Sequence, residues 1–135
     1  MNTSTVEYLG DLRCSATHTQ SGISILSDAP TDNHGKGAAF SPTDLMSTSL
    51  AMCMMTIMGI AAKEKNIPLV GLQANVKKSM GQNPRRIQAI DIQLIGDFSQ
   101  WTEREWKIME TAADTCPVKQ SIHPDLLVNL EWIQA

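Results

Sequence analysis

Apolar and polar positions alternate from the start of the chain. Val6 and Tyr8, then Leu12, Cys14, Ala16 and His18, recur at period two with a break at Gly10-Asp11, the spacing of β-strands with one face toward a core. Thr19-Gln20-Ser21-Gly22 reads as a turn, and Ile23 and Ile25 resume the alternation. Asp28 through Gly37 holds Gly, Pro, Asn and Asp but no apolar period, and reads as a loop. A helix start follows: Ser41 suits the N-cap, Pro42 the first helical position, and Asp44 stands three residues after the cap. This helix is expected over Pro42 to about Lys65, ending before Ile67-Pro68 because a residue preceding Pro avoids the helical region.

Alternation returns at Val70, Leu72, Ala74 and Val76, turns at Gly81-Gln82-Asn83-Pro84, and resumes at Ile90, Ile92 and Leu94, as in an antiparallel hairpin with one wet face. Thr102 and Glu105 predict a capping box, and Trp101 and Trp106 flank it as a hydrophobic staple. Ile108, Met109, Ala112, Ala113 and Cys116 continue that apolar face at helical spacing, while Glu103 and Lys107 form an exposed pair. Pro117 ends the helix and begins a short one through Ile122. Beyond His123-Pro124, Leu126, Val128, Leu130 and Trp132 alternate as a final strand. The order predicts an α+β fold with helices packed on antiparallel sheet. No repeat or linker interrupts it, so residues 1–135 are expected to form one domain.

Composition narrows the function. At 42% hydrophobic and 19% charged residues the chain is not disordered. A net charge of −3 without a basic run speaks against nucleic acid. The 18 uncharged residues from Leu45 to Ala62 approach the length of a membrane span. Ser47, Thr48, Ser49 and Thr56 lie among them and no aromatic belt flanks them, so a helix buried on most sides of a soluble core is the expectation. Met1 to Glu7 lacks the basic and apolar stretches of a secretory signal, so a cytoplasmic protein is expected. Three scattered His and three Cys with no C-x-x-C spacing predict neither a metal site nor a disulfide framework.

The chemistry therefore falls on the cysteines. Taken alone, Cys53 inside the apolar helix and Cys116 at the end of the next helix each read first as small core residues, as does Cys14 in its strand. Together they carry more. Ser41-Pro42-Thr43-Asp44-Leu45 with Cys53 eight residues on, and Cys116-Pro117-Val118 near the far end, resemble the OsmC/Ohr family of thiol peroxidases. The likeness covers nearly the whole chain, since the order of elements also fits.

The resemblance implies an intertwined homodimer of OsmC-like subunits, with antiparallel sheets around a long central buried helix and two sites at the subunit interface. It implies Cys53 as the thiolate that attacks an organic hydroperoxide, and Cys116 as the thiol that resolves the sulfenic acid to a disulfide. An external dithiol of lipoyl type would reduce that disulfide, with no resident cofactor. Lowering a thiol pKa from about 8.5 to about 6 raises the thiolate at pH 7 about thirtyfold, but lost nucleophilicity returns roughly tenfold of it. Fixed donors for the departing oxygen are therefore needed as well. The family supplies them through an Arg held by a Glu. Here Thr43 follows the Pro where many members have Glu, and Asp44 is the nearest carboxylate, so Asp44 (equally a cap) and Arg13 are the candidate supports. Arg85, Arg86 and Arg104 read as surface residues, and His34 and Lys36 as substitutes in the loop. The methionines around Cys53 (Met46, Met52, Met54, Met55 and Met58) suit plastic core filling or an apolar pocket for a hydroperoxide tail. A helix face cannot hold all of them. The competing reading is a non-peroxidatic thiol protein of the same fold that binds an apolar small molecule or relays redox state.

Overall fold

The Thr19–Gly22 turn folds the first part of the chain back on itself, and the pairing it starts sets everything in the N-terminal unit. In the computed structural model, which describes residues 1–135, strands β1 (Ser4–Gly10), β2 (Arg13–His18) and β3 (Ser24–Asp28) form an antiparallel sheet in that order. Asp11 and Leu12 adopt left-handed backbone to turn β1 into β2. A single 3-10 turn at Thr31–Asn33 follows. Gly35 lies so close to Ala29 that a Cβ there would meet the Ala29 carbonyl oxygen at 1.6 Å. Its amide donates to the Pro30 carbonyl at 2.9 Å, so only glycine lets this loop close.

The chain divides into two compact units, Met1–Met46 and Ser47–Ala135. Helix α1 (Pro42–Lys65) begins in the first and runs through the second. Its start follows the expected pattern: the Asp44 amide donates to Ser41 Oγ at 3.0 Å and the Ser41 amide to Asp44 Oδ2 at 2.9 Å. This is a capping box with Asp in place of Glu.

The second unit holds the core. Strands β4 (Gln73–Gly81) and β5 (Arg86–Gly96) pair antiparallel, and β6 (Leu127–Gln134) pairs with β5. That last pairing is parallel, which corrects the expectation of an antiparallel sheet. The reason is the connection. Helices α2 (Glu103–Asp114) and α3 (Pro117–Ser121) lie between β5 and β6, and a crossover carrying helices returns the chain in the same direction. Ile87, Ile90, Ile92 and Leu94 of β5 are buried with Met109, Ala112 and Ala113 of α2 and Leu50, Ala51, Met54, Met58 and Ala62 of α1. The capping box at Thr102 and Glu105 forms as expected. Trp101 and Trp106 meet edge to face, ring centroids 5.0 Å apart, and Phe98 and Trp132 complete an aromatic cluster. The Trp101 indole N–H donates to the Pro68 carbonyl at 2.8 Å, so the ring is buried with its polar atom satisfied.

Helix α1 differs from the expectation in one respect. Within the chain it buries a single stripe, Ser47, Leu50, Ala51, Met54, Met58 and Ala62. The opposite stripe is apolar too, yet Met52 is 63% and Ile60 50% exposed, with exposed Thr56 between them satisfying its hydroxyl on the Met52 carbonyl. One chain has too few elements to cover both sides. The methionines divide accordingly: Met54 and Met58 fill the core, while Met46 and Met52 face out.

Candidate functional site

Cys53 projects beside the buried stripe of α1 and is neither sealed in the core nor fully open. Cys116 is completely buried. Its position follows from the local sequence. Helix α2 ends at Asp114, Pro117 opens α3 at its first turn, and the residue directly before that Pro takes extended backbone. Cys116 does so, at φ −62° and ψ 144°, and becomes the N-cap of α3. Its Sγ accepts the Lys119 amide N–H at 3.4 Å. The Lys119 ammonium pairs with the Asp114 carboxylate, which ties the first turn of α3 to the end of α2.

The fold brings the Cys53 and Cys116 side chains close enough to act on one another, although 63 positions separate them in the chain. Both are free thiols. Burial pushes the Cys116 thiol above its ordinary range. The Lys119 N–H pulls it down, the Cys53 sulfur raises it again, and the Val118 N–H offsets part of that. The net effect is a thiol that holds its proton at neutral pH. Two thiols in contact, one of them buried and protonated, are able to close to a disulfide once the more accessible sulfur is oxidised.

The charged candidates occupy the first unit. Antiparallel pairing of β2 and β3 sets Arg13 directly opposite Asp28, and Arg13 Nε lies 3.6 Å from Asp28 Oδ1. Asp28 is 1% exposed. Its other oxygen accepts the Ala38 amide at 3.0 Å, and that bond, more than the guanidinium, holds its carboxyl below the usual range against the opposing effect of burial. Arg13 thus has a carboxylate partner in Asp28, while Asp44 closes the α1 cap. Asp28 is the residue that reading the sequence missed. It falls where the strand pattern ends and the loop begins, although register carried back from the Thr19–Gly22 turn puts it opposite Arg13. His34 and Lys36 are exposed, and His34 takes left-handed backbone after the 3-10 turn. Arg86 is committed to the β4–β5 turn, donating to the carbonyls of Gln82 and Pro84. Cys14 lies in β2, paired with Ser27 of β3 and Tyr8 of β1.

These features define a class: an α+β thiol protein with a cysteine pair joined across two helices. Residues 34–131 match the family model for OsmC-like proteins, and the chain belongs to that family. Its structure is similar to that of a candidate osmotic stress induced and detoxification response protein from Psychrobacter arcticus 273-4, with 48% identity and a TM-score of 0.91 over 98% of this chain and 96% of that one. An OsmC-like protein from Mycoplasma pneumoniae shares the fold at 20% identity and TM-score 0.79, covering 98% of this chain and 95% of that one. The organic hydroperoxide resistance protein OsmC from Legionella pneumophila shares it at 17% identity and TM-score 0.73, over 98% of each chain. Among curated proteins, none matches the sequence.

Proposed function

We propose that the protein is a cysteine-based peroxidase that reduces organic hydroperoxides. The contact between the Cys53 and Cys116 thiols carries this reading. Cys53 as thiolate attacks the distal oxygen of the hydroperoxide, the O–O bond breaks, and the alkoxide leaves as an alcohol after taking a proton. The Cys53 sulfenic acid then condenses with Cys116, forming the S–S bond and releasing water. A dithiol of lipoyl type returns both cysteines to thiols and is itself oxidised to a disulfide. Similarity to proteins named for organic hydroperoxide resistance supports the substrate class. The exposed apolar residues Met46 and Met52 suit an organic tail better than hydrogen peroxide.

Assembly as a homodimer belongs to the same proposal. The first unit buries only Asp28 and Ser41, and Val6, Tyr8, Ile25 and Leu26 of its sheet are exposed. A three-stranded sheet needs an apolar face against something to be stable, and the uncovered stripe of α1 needs the same. A second copy presents both surfaces in reciprocal form, as a two-fold contact requires. We place the protein in the cytoplasm, where thiols are kept reduced.

The test is a thiol count after tert-butyl or cumene hydroperoxide is added to reduced protein. Three free thiols should fall rapidly to one, with Cys14 remaining. Cys53→Ser should lose none at Cys116, and Cys116→Ser should leave a sulfenic acid that dimedone traps. Slow loss with no preference over hydrogen peroxide would overturn the peroxidase and favour a thiol protein that binds an apolar molecule or relays redox state.

A further inference from the structure

Given the disulfide cycle proposed above, on which this inference rests, we propose that the reducing thiol attacks Sγ of Cys53 and not that of Cys116, so that the mixed disulfide with the reductant forms on helix α1. Thiol–disulfide exchange is an in-line displacement, and the incoming sulfur approaches along the S–S axis from beyond the sulfur it attacks. Cys116 is fully buried and belongs to the same apolar cluster as Met109, Ala112 and Ala113, so a thiol reaching it has to displace buried side chains. Cys53, by contrast, is partly open to solvent.

The leaving side is prepared as well. The charge displaced from Cys53 collects on Cys116 Sγ, a sulfur that already accepts the Lys119 amide N–H at 3.4 Å. The ion pair between Lys119 and Asp114 holds that amide in place. Burial opposes the departure, since it disfavours the thiolate. The same burial commits the result. Once Cys116 leaves it takes a proton, and as a thiol it is slow to reclose on the mixed disulfide. With the Cys116 thiol raised above 9.0, less than about 1% is thiolate at pH 7, so reclosure is at least about a hundredfold slower than for an ionised sulfur. The balance is complete: the reductant thiolate bonds to Cys53, the Cys53–Cys116 bond breaks, and Cys116 ends as a thiol. A second thiol of the reductant then displaces Cys53 and closes the reductant's own disulfide.

The experiment uses Cys14→Ser protein, which leaves only the two cysteines of interest, oxidised with diamide so that no peroxidase step is needed. The oxidised protein is mixed briefly with less than one equivalent of 2-mercaptoethanol, so that no second thiol molecule is left to reduce the mixed disulfide. It is then acid-quenched, alkylated and mapped by peptide mass. The expected product carries mercaptoethanol on Cys53 and the alkyl label on Cys116, in about tenfold excess or more over the reverse. Equal products, or an excess on Cys116, would overturn the proposal. So would failure of diamide to join the two cysteines. If hydroperoxides do not oxidise the protein but the diamide disulfide opens at Cys53, the peroxidase reading falls and the order of attack stands.

Discussion

Lowering the pH should slow the closing of the Cys53–Cys116 disulfide while leaving the sulfenic acid on Cys53 intact. Closure needs Cys116 as thiolate. Burial sets its pKa above the ordinary value of 9.0, and the Cys53 sulfur adds to that, with only the Lys119 and Val118 amides opposing. Throughout the range below that pKa, each pH unit changes the thiolate fraction tenfold. From pH 8 to pH 6 the closing rate should therefore fall about a hundredfold, with no plateau between. The measurement is rapid mixing with less than one equivalent of cumene hydroperoxide, followed at intervals by dimedone. Dimedone-labelled Cys53 should rise at low pH in proportion as disulfide falls. A closing rate that is flat across this range, or that levels off near pH 7, would show Cys116 ionised at neutral pH and refute the ordering of burial over its N–H bonds. A stability consequence runs in the same direction. Because the folded state raises this pKa, its contribution is fully present below the unfolded value and is lost as pH climbs through the folded one. Alkaline unfolding above about pH 9 should be milder in Cys116→Ala than in wild type, relative to each protein's stability at pH 7.

Gly35→Ala should cost about 1–3 kcal/mol in denaturant melts, because the new methyl meets the Ala29 carbonyl and the backbone itself has to shift. Met54→Ala, which empties a fully packed position between α1 and the sheet, should lose about 2–5 kcal/mol, whereas Met52→Ala on the exposed stripe should change monomer stability little. Equal losses at the two positions would contradict the division of the helix. Asp28→Asn should flatten acid unfolding. The Asp28 carboxyl is held below 3.8 chiefly by the Ala38 amide, so its contribution is present above that value and lost as pH falls through the folded pKa. An unchanged acid limb in Asp28→Asn would show that this carboxylate does not report on folding.

Elements with a local signature were legible in the sequence. Ser41-Pro42 and Thr102 through Glu105 each carry their cap in consecutive residues, and both helices begin where those residues stand. Alternation located all six strands, but not how they pair. The parallel partnership of β5 and β6 depends on where two helices carry the chain, information that no single stretch of residues holds. The extent of α1 burial was hidden for a related reason. Met52 and Met54 stand two positions apart and are chemically the same, yet one is 63% exposed and the other fills the core. An all-round apolar helix shows that two sides need covering and leaves open which partner covers each.

The site divides along the same line. Cys53 and Cys116 could be named from their motifs, since each carries local context that a helix start or a Pro supplies. Their inequality could not. A buried, N–H-bonded, protonated sulfur beside a more accessible one fits the proposed division, with attack at Cys53 and resolution at Cys116. Asp28 stayed hidden because its meaning is cross-strand: beside Ala29 and Pro30 it is a loop residue, and only opposite Arg13 does it become the anchor of a guanidinium. The residues that sequence placed by motif are thus those proposed to react, and Asp28, which it missed, holds another group in place. Holding is a property of pairs, and a pair is visible only once the register is fixed.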